Sequence, residues 1–355
     1  MDDIAYVGPK SFLELPPGTI MNLRACVFCS LTLFSISFAP AQSIEDVHVV
    51  PRRTVQPEQP KAELQSAADS ESLYTWARPF RVNSDLVLVP VTVTDARQRP
   101  VMQLSKQDFA LYEDEKLQQI QYFAVETEPV SVALLVDVSK SMTDKIETER
   151  AAISEFFKNA DPHDDYLAIT FSDRPRLLVG PTQSIDDLQS KLMEVEPGGS
   201  TAMLDAVYLA ERQLGSARYN RKVIVIISDG GDNASRYTLR EIKKAVQESD
   251  AQIYAIGLFE TFFFNTLEEK MGKKWLSEIT DRTGGRTLTV DSRAKLPETA
   301  AKISREIRSA YMLGYRPTTA IPNRWRRIKV QLVDSSPSVH AFRAYYKKGY
   351  FTAEQ

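Results

Sequence analysis

Three short segments carry oxygen donors in patterns suited to a hard cation. Asp137-Val138-Ser139-Lys140-Ser141 follows an apolar run, and Gly198-Gly199-Ser200-Thr201 precedes a helical one. Ser228-Asp229-Gly230-Gly231-Asp232 follows a second, very apolar run. Each has a commoner role when taken singly: Ser139, Ser141 and Thr201 can cap helices, Asp137 can serve as a capping carboxylate, and Asp229-Gly230 can form a turn. Taken together, Asp137, Ser139, Ser141, Thr201 and Asp229 offer hydroxyls and carboxylates with no imidazole or thiolate among them. Mg2+ takes near-octahedral oxygen ligands and keeps several waters, so this set suits it, with Mn2+ or Ca2+ as related candidates.

The elements that must position these residues are legible as a rhythm. After Pro129, apolar strands alternate with amphipathic helices, the pattern of a parallel sheet covered on both faces. Strands are expected at Val130 to Val138, Tyr166 to Phe171, Lys222 to Ser228, Gln252 to Leu258 and Arg286 to Val290, with a short edge strand at Arg176 to Val179. Helical spacing runs through Met142, Ile146, Ile153 and Phe157, and through Met203, Val207, Ala210 and Leu214. It returns at Leu239, Ile242 and Val246, and at Ile303, Ile307 and Tyr311. The expected fold is α/β, a doubly wound and mostly parallel sheet over residues 127–315. In such sheets ligands bind at the carboxyl ends of strands where the strand order reverses, which is where the three segments fall.

Residues 80–126 read as a small β module, with strands at Leu86 to Val93, Phe109 to Tyr112 and Ile120 to Phe123. The tail, 316–355, returns to β, and Ile328 to Val333 and Ala341 to Tyr346 look like a hairpin around Asp334-Ser335-Ser336-Pro337. Neither piece has enough strands to cover its own apolar face. The two are therefore expected to form one accessory β-sandwich-like module, with the α/β domain inserted between them.

Asp-x-Ser-x-Ser, a Thr after Gly-Gly, and Asp-Gly after an apolar strand resemble the metal-ion-dependent adhesion site of von Willebrand factor type A domains. The resemblance implies that Ser139, Ser141 and Thr201 reach a cation through hydroxyls, while Asp137 and Asp229 hold it largely through waters. It also implies a non-enzymatic adhesion module in which a Glu or Asp of a protein partner completes the metal's coordination. The flanking segments Val91 to Asp95, Asp108 to Asp114, Tyr122-Phe123, Leu313 to Pro317 and Lys348 to Tyr350 resemble a group of bacterial exported proteins with a related domain. One departure is Lys140, since the residue between the two serines is often Gly. A cation there weakens metal binding or attracts an acidic partner.

Residues 21–41 read as a secretory signal peptide: Arg24, an apolar run from Ala25 to Ala39, and a small-x-small site at Ala39-Pro40-Ala41. Met21 is the expected start, and the run is short for a membrane span. Cleavage after Ala41 would remove both cysteines, Cys26 and Cys29, and leave no transmembrane anchor. The stretch 42–79, with Pro51, Pro57 and Pro60, reads as a linker. The expected location is the periplasm, the cell envelope or the medium. A net charge of −3 gives no footprint for nucleic acid.

Two rival classes remain at this level. A Mg2+-dependent phosphatase or phosphotransferase of haloacid-dehalogenase type also has an Asp after its first strand, but it needs a second carboxylate two residues on, where Ser139 stands. A passive assembly component would use the metal only to stabilise the fold. The loop Phe259 to Asn265, with four phenylalanines, could be a hydrophobic plug or a partner-contacting rim.

Overall fold

Runs of Val, Ile and Leu without polar alternation must be buried on both faces, which only the interior strands of a helix-covered sheet provide. The computed structural model describes residues 86–125, 128–259, 267–317, 324–333 and 341–352, all within the unit Ala77–Gln355. In chain order the strands begin with β1 (Val87–Thr94), β2 (Phe109–Glu113), β3 (Lys116–Gln118), β4 (Tyr122–Val125), β5 (Ser131–Asp137), β6 (Asp165–Phe171) and β7 (Pro175–Thr182). They continue with β8 (Lys222–Ser228), β9 (Gln252–Leu258), β10 (Thr287–Val290), β11 (Ala310–Tyr315), β12 (Trp325–Leu332), β13 (Arg343–Tyr346) and β14 (Gly349–Phe351). The helices are α1 (Ile146–Phe157), α2 (Ile185–Met193), α3 (Met203–Gly215), α4 (Leu239–Glu248), α5 (Leu267–Thr283) and α6 (Leu296–Ile307).

The six-stranded sheet has the order β10-β9-β8-β5-β6-β7. All its pairings are parallel except the last, where β7 lies antiparallel at the edge. Every residue of β5 is buried. Val132, Leu134 and Val136 face α1, α2 and α6 in one apolar core. Ala133 and Leu135 face α3, α4 and α5 in another. Because β5 lies between β6 and β8, the chain leaves it in one direction first and the other later. The carboxyl ends of β5 and β8 therefore flank the point where strand order reverses.

Two four-stranded sheets, β13-β1-β11-β4 and β14-β12-β2-β3, make the β-sandwich. Val89, Val91 and Val93 of β1 share one core with Phe109 and Leu111 of β2, Tyr311 and Leu313 of β11, and Ile328 and Val330 of β12. Glu113, buried inside it, accepts hydrogen bonds from the hydroxyls of Tyr315 at 3.1 Å and Tyr350 at 2.8 Å. Burial and the Glu113 carboxylate push the Tyr350 hydroxyl up to about 12.

The tail does not close as a hairpin. β12 pairs antiparallel with β2, while β13 pairs antiparallel with β1, so the two tail strands lie in different sheets. Tyr311 is not helical either: α6 ends at Ile307, and Tyr311 belongs to β11, between β1 and β4. The expected edge strand at Arg176 to Val179 is longer, spanning β7. α2, α5, β3, β11 and β14 have no counterpart in the sequence reading.

Phe259 is buried against the core formed with α3, α4 and α5. Phe262, Phe263 and Phe264 lie outside the described residues, as do the segments expected to be a signal peptide (21–41), a linker (42–79) and a turn (334–337). Among the described residues no helix is long and apolar enough to cross a membrane.

Candidate metal centre

Asp137 ends β5 and is fully buried. Its Oδ1 accepts the Ser139 backbone N–H at 3.0 Å, and its Oδ2 accepts the Ser228 hydroxyl at 2.6 Å. Burial, and then the nearby Asp229 carboxylate, push the Asp137 carboxyl up to about 6. A buried carboxylate beside a second one is the environment that a cation relieves.

Ser139 and Ser141 stand with their hydroxyl oxygens 3.0 Å apart. Ser139 is buried and Ser141 exposed. Ser139 begins the short 3-10 turn Lys140–Met142 without capping it through its side chain. Ala202, not Thr201, sits at the N-cap of α3, and that end has no side-chain cap either. The commoner reading of these hydroxyls as helix caps thus does not hold for Ser139 or Thr201.

Backbone hydrogen bonds hold the three donor segments together. The Gly198 N–H donates to the Val138 carbonyl at 2.7 Å, and the Lys140 N–H donates to the Gly199 carbonyl at 3.0 Å. The Asn233 N–H donates to the Thr201 carbonyl at 3.0 Å, and the Asn233 side-chain carbonyl accepts the Thr201 N–H at 2.9 Å. The loop carrying Thr201 is therefore fastened to the Ser139 loop on one side and to the Asp229 loop on the other. Gly199 has φ +85, and a Cβ there would lie 2.8 Å from the Asp173 carboxylate. That carboxylate accepts the Ser200 N–H at 2.7 Å, which holds Asp173 below the usual carboxylate range. Asp229 is half-buried, and its Oδ2 accepts from the Lys145 ammonium at 3.1 Å.

Sequence reasoning missed several residues that shape this region. Asp232 accepts the Leu204 N–H at 2.8 Å and so ties the Asp229 loop to the start of α3. Asp205 accepts the N–H groups of Arg236 at 2.9 Å and Tyr237 at 3.0 Å, holding the following loop. Lys145 and Glu149 lie just before and within α1. A signal for Glu149 was present, because it falls on the apolar stripe of Met142, Ile146, Ile153 and Phe157.

The donors suit a hard cation rather than zinc held by nitrogen or sulfur. Among the described residues no group of three or more His, Cys, Asp or Glu side chains could together hold a metal ion. A cation here would therefore draw on hydroxyls, carbonyls or waters as well as on carboxylates. A local demand for positive charge is visible in the structure: Glu149 is fully buried with neither carboxylate oxygen hydrogen-bonded. The residues fit a cation of the Mg2+ class.

Residues 132–231 match the family model of the von Willebrand factor type A domain, a span that contains all five candidate donors. No curated protein matches the chain. Among solved structures, the chain is similar to a von Willebrand factor type A protein from Catenulispora acidiphila, at 14% identity, 69% of this chain, 72% of that one and a TM-score of 0.45. It is similar to the conserved hypothetical protein BatB from Bacteroides thetaiotaomicron, at 21% identity, 51% of this chain, 100% of that one and a TM-score of 0.40. A third is proximal thread matrix protein 1 from the mussel byssus with a zinc-occupied MIDAS motif, at 20% identity, 55% of this chain, 50% of that one and a TM-score of 0.42.

Proposed function

Taking residues 132–231 as a von Willebrand factor type A domain, we propose that the α/β unit is an exported, non-enzymatic protein-binding module. Asp137, Ser139, Ser141, Thr201 and Asp229 hold a divalent cation, Mg2+ by preference, and a Glu or Asp of a protein partner completes its coordination. One observation carries this reading: the hydroxyl pair of Ser139 and Ser141, 3.0 Å apart, beside the fully buried Asp137. Neutral hydroxyl ligands leave the ion more of its charge than carboxylates would, and so leave it attractive to an outside carboxylate. Ser141 is exposed, which gives a partner access from solvent.

A covalent phosphatase mechanism is disfavoured by the same geometry. An Asp nucleophile must meet its substrate, whereas Asp137 has no exposure and both of its oxygens are engaged. Export rests on the leader at 21–41. For the domain arrangement we propose that the α/β unit interrupts the sandwich. The pairings of β2 with β12, of β1 with β13 and of β1 with β11 support that layout, in which the chain would return to the sandwich after α6.

The test is an affinity capture from the native cell envelope in Mg2+, eluted with EDTA. A partner retained by the parent protein but not by Asp137→Ala supports the proposal. Retention that ignores both EDTA and the substitution refutes it.

A further inference from the structure

Glu149 sits in the first turn of α1 on its buried face, with no exposure and with both carboxylate oxygens lacking a hydrogen-bond partner. Desolvation makes an unpartnered buried carboxylate costly, so such a group either takes up a proton or has its charge met from elsewhere. The Lys145 carbonyl accepts the Glu149 N–H at 3.0 Å, and the Lys145 ammonium reaches Asp229 at 3.1 Å, which sets Glu149 beside the candidate donors. After burial itself, the carboxylates of Asp137 and Asp229 do most to raise the Glu149 carboxyl above its usual range, ahead of the opposing effects of Lys145 and Arg150.

Neither cation neutralises it. Lys145, one turn earlier, gives its ammonium to Asp229. The Arg150 guanidinium is bound to Glu147 and to the carbonyls of Met193 and Val195. When ionised, Asp137, Asp229 and Glu149 carry three negative charges against one from Lys145. The deficit matches one divalent cation.

We propose that Glu149 is an outer carboxylate of the cation centre, which balances the ion's charge and accepts a hydrogen bond from a water that the ion carries. Direct ligation is not required of it, since no three acidic side chains among the described residues stand close enough to hold one ion together. Outer groups of this kind orient waters and ligands and tune affinity. Glu149 is thus a positioning residue, and this inference rests on the cation reading above.

The test is calorimetric titration of the full chain with Mg2+ and with Mn2+, using the parent protein, Glu149→Gln, Glu149→Met and Ser139→Ala. Thermal midpoints are read in EDTA and in saturating metal. The parent is expected to bind, Ser139→Ala to lose binding, and both Glu149 variants to bind roughly 10- to 100-fold more weakly. In EDTA the Glu149 variants should melt no earlier than the parent, because each removes a buried carboxyl whose oxygens lack a hydrogen-bond partner. The Met variant keeps the volume apolar, so a folded protein remains available if Gln is poorly accommodated. Parent-like affinity in either folded variant overturns the role of Glu149 while leaving the cation reading intact. A parent protein that binds neither metal overturns both.

Discussion

The Lys145 ammonium lies 3.1 Å from Asp229 Oδ2, with both side chains only 14% exposed, so an internal cation bonds one of the carboxylates assigned to the metal. A dication arriving at Asp229 must work against that ammonium. In a setting of effective dielectric about 20, two unit charges 4 Å apart interact by about 4 kcal/mol before relaxation. Replacing Lys145 by Met should therefore raise Mg2+ affinity about tenfold, read by calorimetric titration. Unchanged or weaker binding would show that the lysine helps assemble the site.

Binding that is confined to the folded state must appear as stability. Saturation to 100 times Kd with Mg2+ should add about 2.7 kcal/mol to the parent protein. Asp137→Ala and Ser139→Ala should lose that increment in thermal melts. An equal increment in all three proteins would place the ion elsewhere.

The loop bearing Thr201 depends on one backbone conformation. Gly199→Ala combines φ +85 with a Cβ 2.8 Å from the Asp173 carboxylate, and should destabilise by about 1–3 kcal/mol in urea unfolding. Gly198→Ala is the control, since nothing lies within 4 Å of a Cβ there. Similar costs at both positions would remove the argument.

Glu211 gives a pH signature away from the candidate metal centre. Burial raises its carboxyl to about 7, against a partly compensating hydrogen bond from the Ser249 hydroxyl. With the folded-state value above the unfolded one, the folded chain holds the extra proton between about 4.5 and 7. Stability from this group therefore falls as pH rises through that window. Glu211→Gln should be more stable than the parent at pH 8, by on the order of 1–3 kcal/mol, with no advantage below pH 4.5. Denaturant melts at pH 4, 6 and 8 measure it, and a constant difference across the series would contradict it.

The composite sandwich can be tested by removing the tail. Truncation after Arg316 deletes β12, the partner of β2, and β13, the partner of β1. Limited proteolysis should then cut within residues 86–125, while the full chain should resist cleavage there. Undiminished protection would mean that those strands stand without the tail.

The candidate donors were legible in the sequence because their signal is local: residue types at fixed offsets beside apolar runs. The central strands were legible for a similar reason. β8 and β9 fall on the residues expected, since a strand buried on both faces is apolar throughout whatever its neighbours are. Tertiary structure decided what depended on distant partners. The helical spacing of Ile303 and Ile307 extends by coincidence to Tyr311, which becomes a strand residue because β1, more than 200 residues earlier, offers it a ladder. The two tail strands separate because β1 and β2 bind them more fully than a hairpin of two strands could. Lys145 is 84 residues from Asp229, and their ion pair has no local signal. The physical reason is common to all three cases. Hydrogen-bond ladders and charge pairing act through space, and the separation along the chain leaves no mark in a local pattern.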